Sequence, residues 1–267
     1  MPTYALVNQK GGVGKTTTAV SLGSLLAQHG EKVLVVDADP QANATSCLGI
    51  EQGKVSQGTY EALIEGVPAK DCVLHSPGLK LTLLPSTPAL AGAQIELVGM
   101  SDRELALRQA LEPLNGHFDY VLIDCPPSLG LLTLNGLVAA QSGVIIPVQC
   151  EYLALEGLSQ LMSTLERVRG SLFPELSVRG LLLTMYDPRT RLSNEVADEL
   201  RNHFGDLVFH SIIPRSVRLA EAPSHGLPIN VYAPNSPGGL AYRAFTEELL
   251  RGDQRRVPLA AEMAHGA

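Results

Sequence analysis

The chain has 267 residues, of which 45% are hydrophobic and 18% are charged, and its formal net charge is −7. This length and composition fit one soluble globular domain, and no stretch approaches the roughly 18 consecutive apolar residues of a membrane-spanning helix. The acidic balance argues against a broadly basic nucleic-acid-binding protein, and the N-terminus lacks the charged leader and apolar run of an export signal, so we expect a cytoplasmic protein.

The first predicted element is a glycine-rich turn between a strand and a helix. The apolar run Tyr4–Val7 predicts a buried strand, and apolar residues at helical spacing over 19–27, closed by Gly30, predict a helix. The backbone N–H groups of such a turn, together with the helix N-terminus, bind phosphate oxygens. We therefore expect the nucleotide-binding residues to include Lys10, Gly11, Gly12, Val13, Gly14, Lys15, Thr16 and Thr17.

This turn departs from the general phosphate-loop pattern at one position. The pattern places a glycine five residues before Gly14, and this sequence has Gln9 there. The alternative is a glycine-rich surface turn, but a strand, three glycines, a Gly-Lys-Thr triplet and a helix in this order favour a phosphate loop. Lys15 is placed to reach the β- and γ-phosphates of a nucleotide, and the Thr16 hydroxyl to ligate Mg²⁺.

Two later apolar runs end in aspartates. Residues 32–36 lead to Asp37 and Asp39, and residues 118–123 lead to Asp124. Runs that are apolar on both faces are typical of parallel strands covered by helices on each side. Between these runs the pattern predicts a loop region over 41–58, a helix near 60–65, a strand over Leu79–Leu84 and mainly helix over 89–115.

The second half of the chain alternates between helix and strand. The predicted helices cover 131–140, 154–169, 193–204, 217–222 and 238–250, and the strands cover 143–148, 178–184 and 208–213. This alternation predicts an α/β fold with a doubly wound, mostly parallel sheet that has helices on both faces. We expect a single domain over residues 1–252 and a flexible tail over 253–267.

The predicted strand ends supply the chemistry. Ligands of open parallel sheets bind outside the carboxyl ends of the strands. Asp124 has the form of a Walker B carboxylate that holds Mg²⁺ through water, although a strand-end aspartate can also cap the next turn. Asp37 and Asp39 would face the same side of a strand, which a cation or a lysine between them would make tolerable.

Asp39 lies further beyond its strand than Asp37 and is therefore the better candidate to position an attacking water. The predicted metal-binding residues are thus Thr16, Asp39 and Asp124. No glutamate follows Asp124, so catalysis would rest on positioning and charge neutralisation alone and should be slow.

Four segments resemble the ParA branch of the ParA/MinD ATPases. The stretch 10–16, KGGVGKT, is similar to the deviant Walker A motif of these P-loop proteins, and 124–128, DCPPS, to their Walker B motif. The stretch 37–45, DADPQANAT, resembles the D-x-D-P-Q-G-N-x-T segment, and 213–226, IPRSVRLAEAPSHG, the C-terminal signature of the partition ATPases. Ala42 and Ser216 replace the usual glycine and asparagine.

The resemblance implies an ATP-dependent switch for chromosome or plasmid partition with ATP and Mg²⁺ as cofactors. In this family two subunits enclose ATP, so Lys10 and Gly11 would lie at the dimer interface and Lys10 would reach the partner's nucleotide. Lys10, Lys15 and Asp39 are then the expected catalytic residues. Adenine contacts are expected near Met185 and Pro214. The dimer would bind double-stranded DNA without sequence preference, and a ParB-type centromere-binding partner would stimulate hydrolysis.

DNA binding requires lysines or arginines, and the second half of the chain supplies them. Arg189, Arg191, Arg215 and Arg218 all follow predicted strands, although each could be an ordinary solvated arginine. We take Arg189, Arg215 and Arg218 as the DNA-binding candidates. Because the chain is acidic overall, a monomer should bind DNA poorly, and pairing two patches in an ATP-bound dimer should strengthen binding.

Four alternatives remain open. A MinD-like ATPase at the membrane surface would need a basic amphipathic C-terminal helix, and the stretch 251–259 contains proline and few large apolar residues, so we expect no membrane partner. A relative of the nitrogenase iron protein would need cluster cysteines, which Cys125 and Cys150 do not resemble. A ParA-like protein that positions a protein cluster, and a synthetase with a small-molecule acceptor, are the others.

Overall fold

Eight strands form one sheet in a computed structural model of the chain, which describes residues 1–76 and 78–254. The strand order is β3-β4-β2-β5-β1-β6-β7-β8, and every neighbouring pair is parallel except β3 and β4. The strands are β1 (Thr3–Leu6), β2 (Val33–Asp37), β3 (Leu74–Ser76), β4 (Leu81–Leu84), β5 (Tyr120–Asp124), β6 (Gly143–Gln149), β7 (Val178–Tyr186) and β8 (Val208–Pro214). The predicted doubly wound, mostly parallel sheet is confirmed.

Helices cover both faces of this sheet. They are α1 (Lys15–Gln28), α2 (Asn43–Cys47), α3 (Ala69–Cys72), α4 (Leu90–Glu96), α5 (Ala106–Leu111), α6 (Leu131–Ala139), α7 (Ala154–Ser171), α8 (Arg191–Phe204), α9 (Val217–Glu221), α10 (Ile229–Tyr232) and α11 (Pro237–Gln254). A π-helical turn spans Glu61–Glu65, and a 3₁₀ turn at Leu97–Gly99 follows α4. No helix in the described part of the chain is both long and apolar enough to cross a bilayer.

The central strands are buried on both sides because alternate residues enter two separate cores. Leu34 and Val36 of β2 belong to the core on the face covered by α4 to α8, whereas Val33 and Val35 belong to the core on the face covered by α1 and α11. The parallel strands therefore end at one common edge. The segments that follow β1, β2 and β5 meet at this edge, where β1 lies between β5 and β6.

The structure departs from the sequence prediction at the edge of the sheet. Strand β4 begins at Leu81 rather than Leu79, because Lys80 has a positive φ of 52° and forms a turn. The short strand β3, which pairs antiparallel with β4, was not predicted. Between the predicted helices 217–222 and 238–250 the structure contains the short helix α10, which was not predicted.

The end of α11 extends the folded domain two residues beyond the predicted boundary at 252. Asp253 is buried and accepts hydrogen bonds from the Tyr4 hydroxyl at 2.8 Å and the Tyr120 hydroxyl at 3.2 Å. Arg179 Nε lies 3.0 Å from the same carboxylate, and the two side chains are 9% and 7% exposed. This cluster joins α11 to three strands, because Tyr4 lies on β1, Tyr120 on β5 and Arg179 on β7. The rest of the predicted tail, 255–267, lies outside the described residues.

Candidate functional site

The predicted phosphate loop connects β1 directly to α1. Gly12 and Gly14 have positive φ angles of 75° and 94°, which a residue with a side chain rarely adopts. The Thr184 hydroxyl donates to the Val13 carbonyl at 2.9 Å, and this hydrogen bond fixes the loop to the end of β7. Helix α1 has no side-chain cap and no acidic residue in its first turn. Its first N–H groups are therefore suited to an anion.

Gly11 is exposed and has open space around its Cα. A Cβ built there meets no atom of the described chain within 4 Å, and the Gly11 φ is not positive. The fold of a single chain therefore does not require glycine at this position. Any constraint on Gly11 must come from a molecule that approaches from outside.

Lys15 is a buried lysine beside carboxylates. Its ammonium lies 3.5 Å from the Lys10 carbonyl oxygen. Burial lowers its pKa, and the negative charges of Asp124 and Asp39 oppose that shift. A bound phosphate would further stabilise the charged ammonium.

Asp124 is fully buried, and neither of its carboxylate oxygens has a hydrogen-bond partner among the described residues. Burial, followed by the charge of Asp37, raises its pKa well above the usual value, while the Thr16 hydroxyl, which lies nearby but outside hydrogen-bond geometry, and the charge of Lys15 lower it. Burying a carboxylate without hydrogen-bond donors destabilises the folded state unless a cation lies beside it. The Thr16 hydroxyl and Asp124 therefore fit a magnesium ion.

The oxygen donors of Thr16 and Asp124 match the coordination preferences of Mg²⁺. No group of three or more His, Cys, Asp or Glu side chains within residues 1–76 and 78–254 could hold a metal ion alone. Magnesium commonly binds through one or two carboxylates and completes its coordination with water and substrate phosphates. Thr16 and Asp124 thus supply a partial site that a nucleotide would complete.

Asp37 and Asp39 differ in their contacts. Asp37 accepts hydrogen bonds from the Thr45 backbone N–H at 2.8 Å and the Thr45 hydroxyl at 2.7 Å. Burial raises the Asp37 pKa to about 6, and the Thr45 hydrogen bonds oppose this shift. Asp39 accepts from the Gln41 N–H at 2.9 Å, and the Ser86 hydroxyl donates to the Asp39 carbonyl at 2.8 Å. Asp37 therefore anchors the loop that positions Asp39.

The sequence indicated that a cation or a lysine between Asp37 and Asp39 would make their proximity tolerable, and the structure adds that Thr45 donates two hydrogen bonds to Asp37. Thr45 and Ser86 are thus the positioning residues that sequence reasoning missed. Thr45 was within reach, because it closes the quoted DADPQANAT stretch. Ser86 carried no signal, since it follows β4 in a segment that the motifs do not include.

A cavity of about 350 Å³ adjoins the phosphate loop. Gly14 and Thr17 line one side, and Met185 and Pro214 at the ends of β7 and β8 line another. The lining is largely apolar, and Tyr242 of α11 contributes to it through a side chain hydrogen-bonded to Thr18 at 3.0 Å. The cavity thus has the composition and the position that an adenine ring needs.

Lys10 is exposed and pairs with the loop after β6. Its ammonium lies 2.9 Å from Glu151 Oε2. The other carboxylate oxygen of Glu151 lies 3.6 Å from the Arg215 guanidinium. Tyr152, beside Glu151, is exposed. Lys10 and this loop therefore form a surface that a second molecule could contact.

The candidate DNA-binding arginines each have an acidic neighbour. Arg189 forms two hydrogen bonds with Asp187, at 2.9 and 2.7 Å, and Arg218 pairs with Glu221 at 2.9 Å. All three candidates are exposed at or after the ends of β7 and β8. Exposed ion pairs of this kind contribute little to stability, so a phosphate can replace the carboxylate at low cost.

Comparison with known proteins gives consistent similarities. A family model described as an AAA domain matches residues 1–178. The sporulation initiation inhibitor protein Soj of Bacillus subtilis is 51% identical over 245 residues, which cover 92% of this chain and 96% of that protein. The chromosome partitioning protein ParA of Myxococcus xanthus is 50% identical over 252 residues, which cover 94% and 88%.

The fold is also similar to that of a solved structure. The cobyrinic acid a,c-diamide synthase of Mycobacterium smegmatis, with bound ADP and magnesium, superposes with a TM-score of 0.83 at 40% identity and covers 95% of this chain and 96% of that one. The same protein has also been solved with an ATP analogue and magnesium.

Proposed function

This chain belongs to the ParA/Soj family of chromosome-partitioning ATPases, and we propose that it works as an ATP-gated DNA-binding switch. Its cofactors are the nucleotide ATP and the metal ion Mg²⁺. ATP brings two copies together, and the dimer binds double-stranded DNA without sequence preference. A ParB-type partner then stimulates hydrolysis of ATP to ADP and phosphate. Hydrolysis makes the dimer dissociate, and the monomers leave the nucleoid DNA.

The observation that carries the proposal is the buried Asp124 carboxylate near Lys15 and Thr16, next to the strand end from which the phosphate loop begins. Lys15 would contact the β- and γ-phosphates of a bound nucleotide, and the Thr16 hydroxyl and Asp124 would hold Mg²⁺. Mg²⁺ supplies positive charge that offsets the phosphates and the buried carboxylate. Met185 and Pro214 contact the adenine.

Asp39 orients the attacking water. The water oxygen forms a bond to the γ-phosphorus, the bond from that phosphorus to the β–γ bridging oxygen breaks, and ADP and phosphate leave. Asp39 is held by Gln41 and Ser86 at the same edge as Asp124, which supports this role. Without a glutamate next to Asp124, positioning is the main contribution, and we expect slow turnover.

Lys10 and Gly11 form the dimer contact. Lys10 is exposed and Gly11 has open space, and both features support an approach by a second chain. Lys10 leaves Glu151 and reaches the partner's nucleotide. The energetic exchange is small because an exposed ion pair is replaced by a contact to a phosphate.

Arg189, Arg215 and Arg218 bind DNA phosphates. Each contact releases counterions, and contacts on two chains add, so a dimer binds far more tightly than a monomer. This additivity supports gating by ATP in a protein of net charge −7.

The test is phosphate release from ATP. We expect a slow rate with Mg²⁺, none with EDTA, and a several-fold higher rate when double-stranded DNA and a purified ParB-type protein of the same organism are both added. A rate that neither addition changes would contradict the switch. A rate that rises with cobyrinic acid instead would favour the activity named for the Mycobacterium protein.

A further inference from the structure

An exposed apolar cluster lies at the end of α4. Ile95 is 79% exposed, Val98 is 58% exposed and Met100 is 39% exposed. These three residues are called the α4 patch below. The opposite face of the same segment is fully buried through Leu90, Ala93 and Leu97, so the patch is held on a fixed support. Clustered exposed apolar side chains on a fixed support are typical of binding surfaces.

Carboxylates occur next to the α4 patch in the chain and in the turn that α4 contacts through Tyr60. The Tyr60 hydroxyl donates to Glu96 at 3.0 Å, and this hydrogen bond is the main reason why the pKa of Tyr60 is raised. Glu96 lies next to Ile95 at the end of α4, and Glu61 and Glu65 belong to the turn that follows Tyr60. Asp102 and Glu104 follow Met100 in the chain.

A single arginine accompanies these five carboxylates within residues 59–66 and 86–104. Arg103 is paired with Glu104 at 2.9 Å, and its guanidinium also donates to the Val98 carbonyl at 3.3 Å. The rim of the patch is therefore strongly negative. Such a rim attracts lysines and arginines and repels nucleic acid and anionic lipid.

The patch lies far from the candidate DNA-binding arginines. It follows β4, which is second in the strand order, whereas the arginines follow β7 and β8, which are the last two. At about 4.8 Å per strand the separation across the sheet is roughly 24 to 29 Å. A molecule bound at the patch would leave the arginines accessible.

We propose that the α4 patch docks a cationic amphipathic segment of a partner protein. The apolar residues of the segment cover Ile95, Val98 and Met100, and its lysines or arginines pair with Glu65, Glu96 and the neighbouring carboxylates. A second copy of this chain fits less well, because a symmetric contact would set two negative rims against each other. If this partner is the one that stimulates hydrolysis, that role rests on the proposed function; docking itself does not.

The test uses a labelled model peptide of 18 residues, with lysine and leucine at amphipathic helical spacing, and a matched peptide with glutamate in place of lysine. Fluorescence anisotropy measures binding to the full chain. We expect the lysine peptide to bind, and its Kd to rise at least fivefold in Ile95→Ser/Val98→Ser and in Glu65→Lys/Glu96→Lys. The glutamate peptide should not bind.

Two controls separate the patch from general acidity. Glu175→Lys/Glu199→Lys makes the same change in net charge at exposed sites on other elements, and Leu240→Ser removes an exposed apolar side chain elsewhere. Both should keep the wild-type Kd within twofold. Equal loss in Glu175→Lys/Glu199→Lys would overturn the proposal, as would unchanged binding in both patch variants.

A wild-type dimer that Ile95→Ser/Val98→Ser converts to a monomer in nucleotide-free sedimentation would assign the patch to a second copy and also overturn it. Retention of DNA by the same patch variants with ATP reports on the proposed function separately. Docking can therefore fail while the ATP-gated switch stands, and the converse also holds.

Discussion

Asp37 and Asp124 occupy paired positions at the ends of the neighbouring parallel strands β2 and β5, yet only Asp37 has hydrogen-bond donors. Asp37 receives both donors of Thr45, while the Asp124 oxygens have no partner among the described residues. Both carboxyls are fully buried, so the local donors distinguish them. Asp37 fits an anchor for the loop, and Asp124 fits a ligand for a cation.

The burial of Asp37 predicts a pH dependence of stability. Burial raises the Asp37 pKa from 3.8 to about 6, so between these values the folded chain holds a proton that the unfolded chain has released. Its contribution to the free energy of unfolding is therefore full below the lower value and is lost as the pH rises through the upper one, by at most about 3 kcal/mol.

Urea unfolding at several pH values, in EDTA and without nucleotide, measures this effect. Wild type should lose stability relative to Asp37→Asn as the pH rises across that window. Two curves that stay parallel would show that Asp37 does not titrate in this way.

Asp39→Ala should abolish turnover and leave ATP binding and dimerisation intact. The side chain of Asp39 holds no other described element beyond the Gln41 N–H, so its loss should remove the water-orienting group at little cost to the loop. We expect phosphate release to fall by about 10²-fold or more. Equilibrium binding of a fluorescent ATP analogue checks the first step, and loss of that binding would show that Asp39 has been assigned the wrong role.

Gly11→Val should separate dimerisation from nucleotide binding. A side chain at Gly11 meets open space within one chain but would obstruct a second chain at the phosphate loop. We expect unchanged ATP binding and thermal stability, and no ATP-dependent dimer in sedimentation velocity. Gly12→Val is the matched variant, because the positive φ of Gly12 should make it defective in nucleotide binding itself. A normal dimer in Gly11→Val would place the interface elsewhere.

Asp253→Ala should destabilise the fold without touching the nucleotide site. It leaves Arg179 buried without its carboxylate and removes the acceptor of the Tyr4 hydroxyl. Breaking a buried ion pair costs about 3–5 kcal/mol. Arg251→Ala removes an exposed pair on the same helix and should change the free energy of unfolding by less than about 0.5 kcal/mol. Equal effects of the two variants in urea unfolding would contradict a stabilising role for the buried Asp253 cluster.

The sequence was sufficient for the fold and for placing Asp37, Asp39 and Asp124 at or beyond the ends of their strands. Apolar runs such as Val33–Val36 are typical of strands buried on both sides, and each places the next polar residue at the carboxyl edge. Asp253 was misread because it stands in a charged, proline-containing segment. Only the three-dimensional fold brings Arg179 to it.

The long-range partners of single side chains could not be predicted in the same way. The distance from Lys10 to Glu151 in the chain is 141 residues, and no local pattern encodes such a pair. The α4 patch was hidden for a different reason. Ile95 and Val98 stand in a mainly helical stretch, where apolar residues usually face the core.

Retention of double-stranded DNA tests the switch most directly. The protein is sedimented with long DNA in the presence of ATP and Mg²⁺, of ADP and Mg²⁺, or of no nucleotide, over a range of salt concentrations, with Arg218→Glu and the control Arg167→Glu on α7. We predict that DNA is retained only in the presence of ATP and Mg²⁺ and that this retention declines steeply as the salt concentration rises. Retention should be lost in Arg218→Glu and should change little in Arg167→Glu. Equal retention with and without ATP would contradict the account.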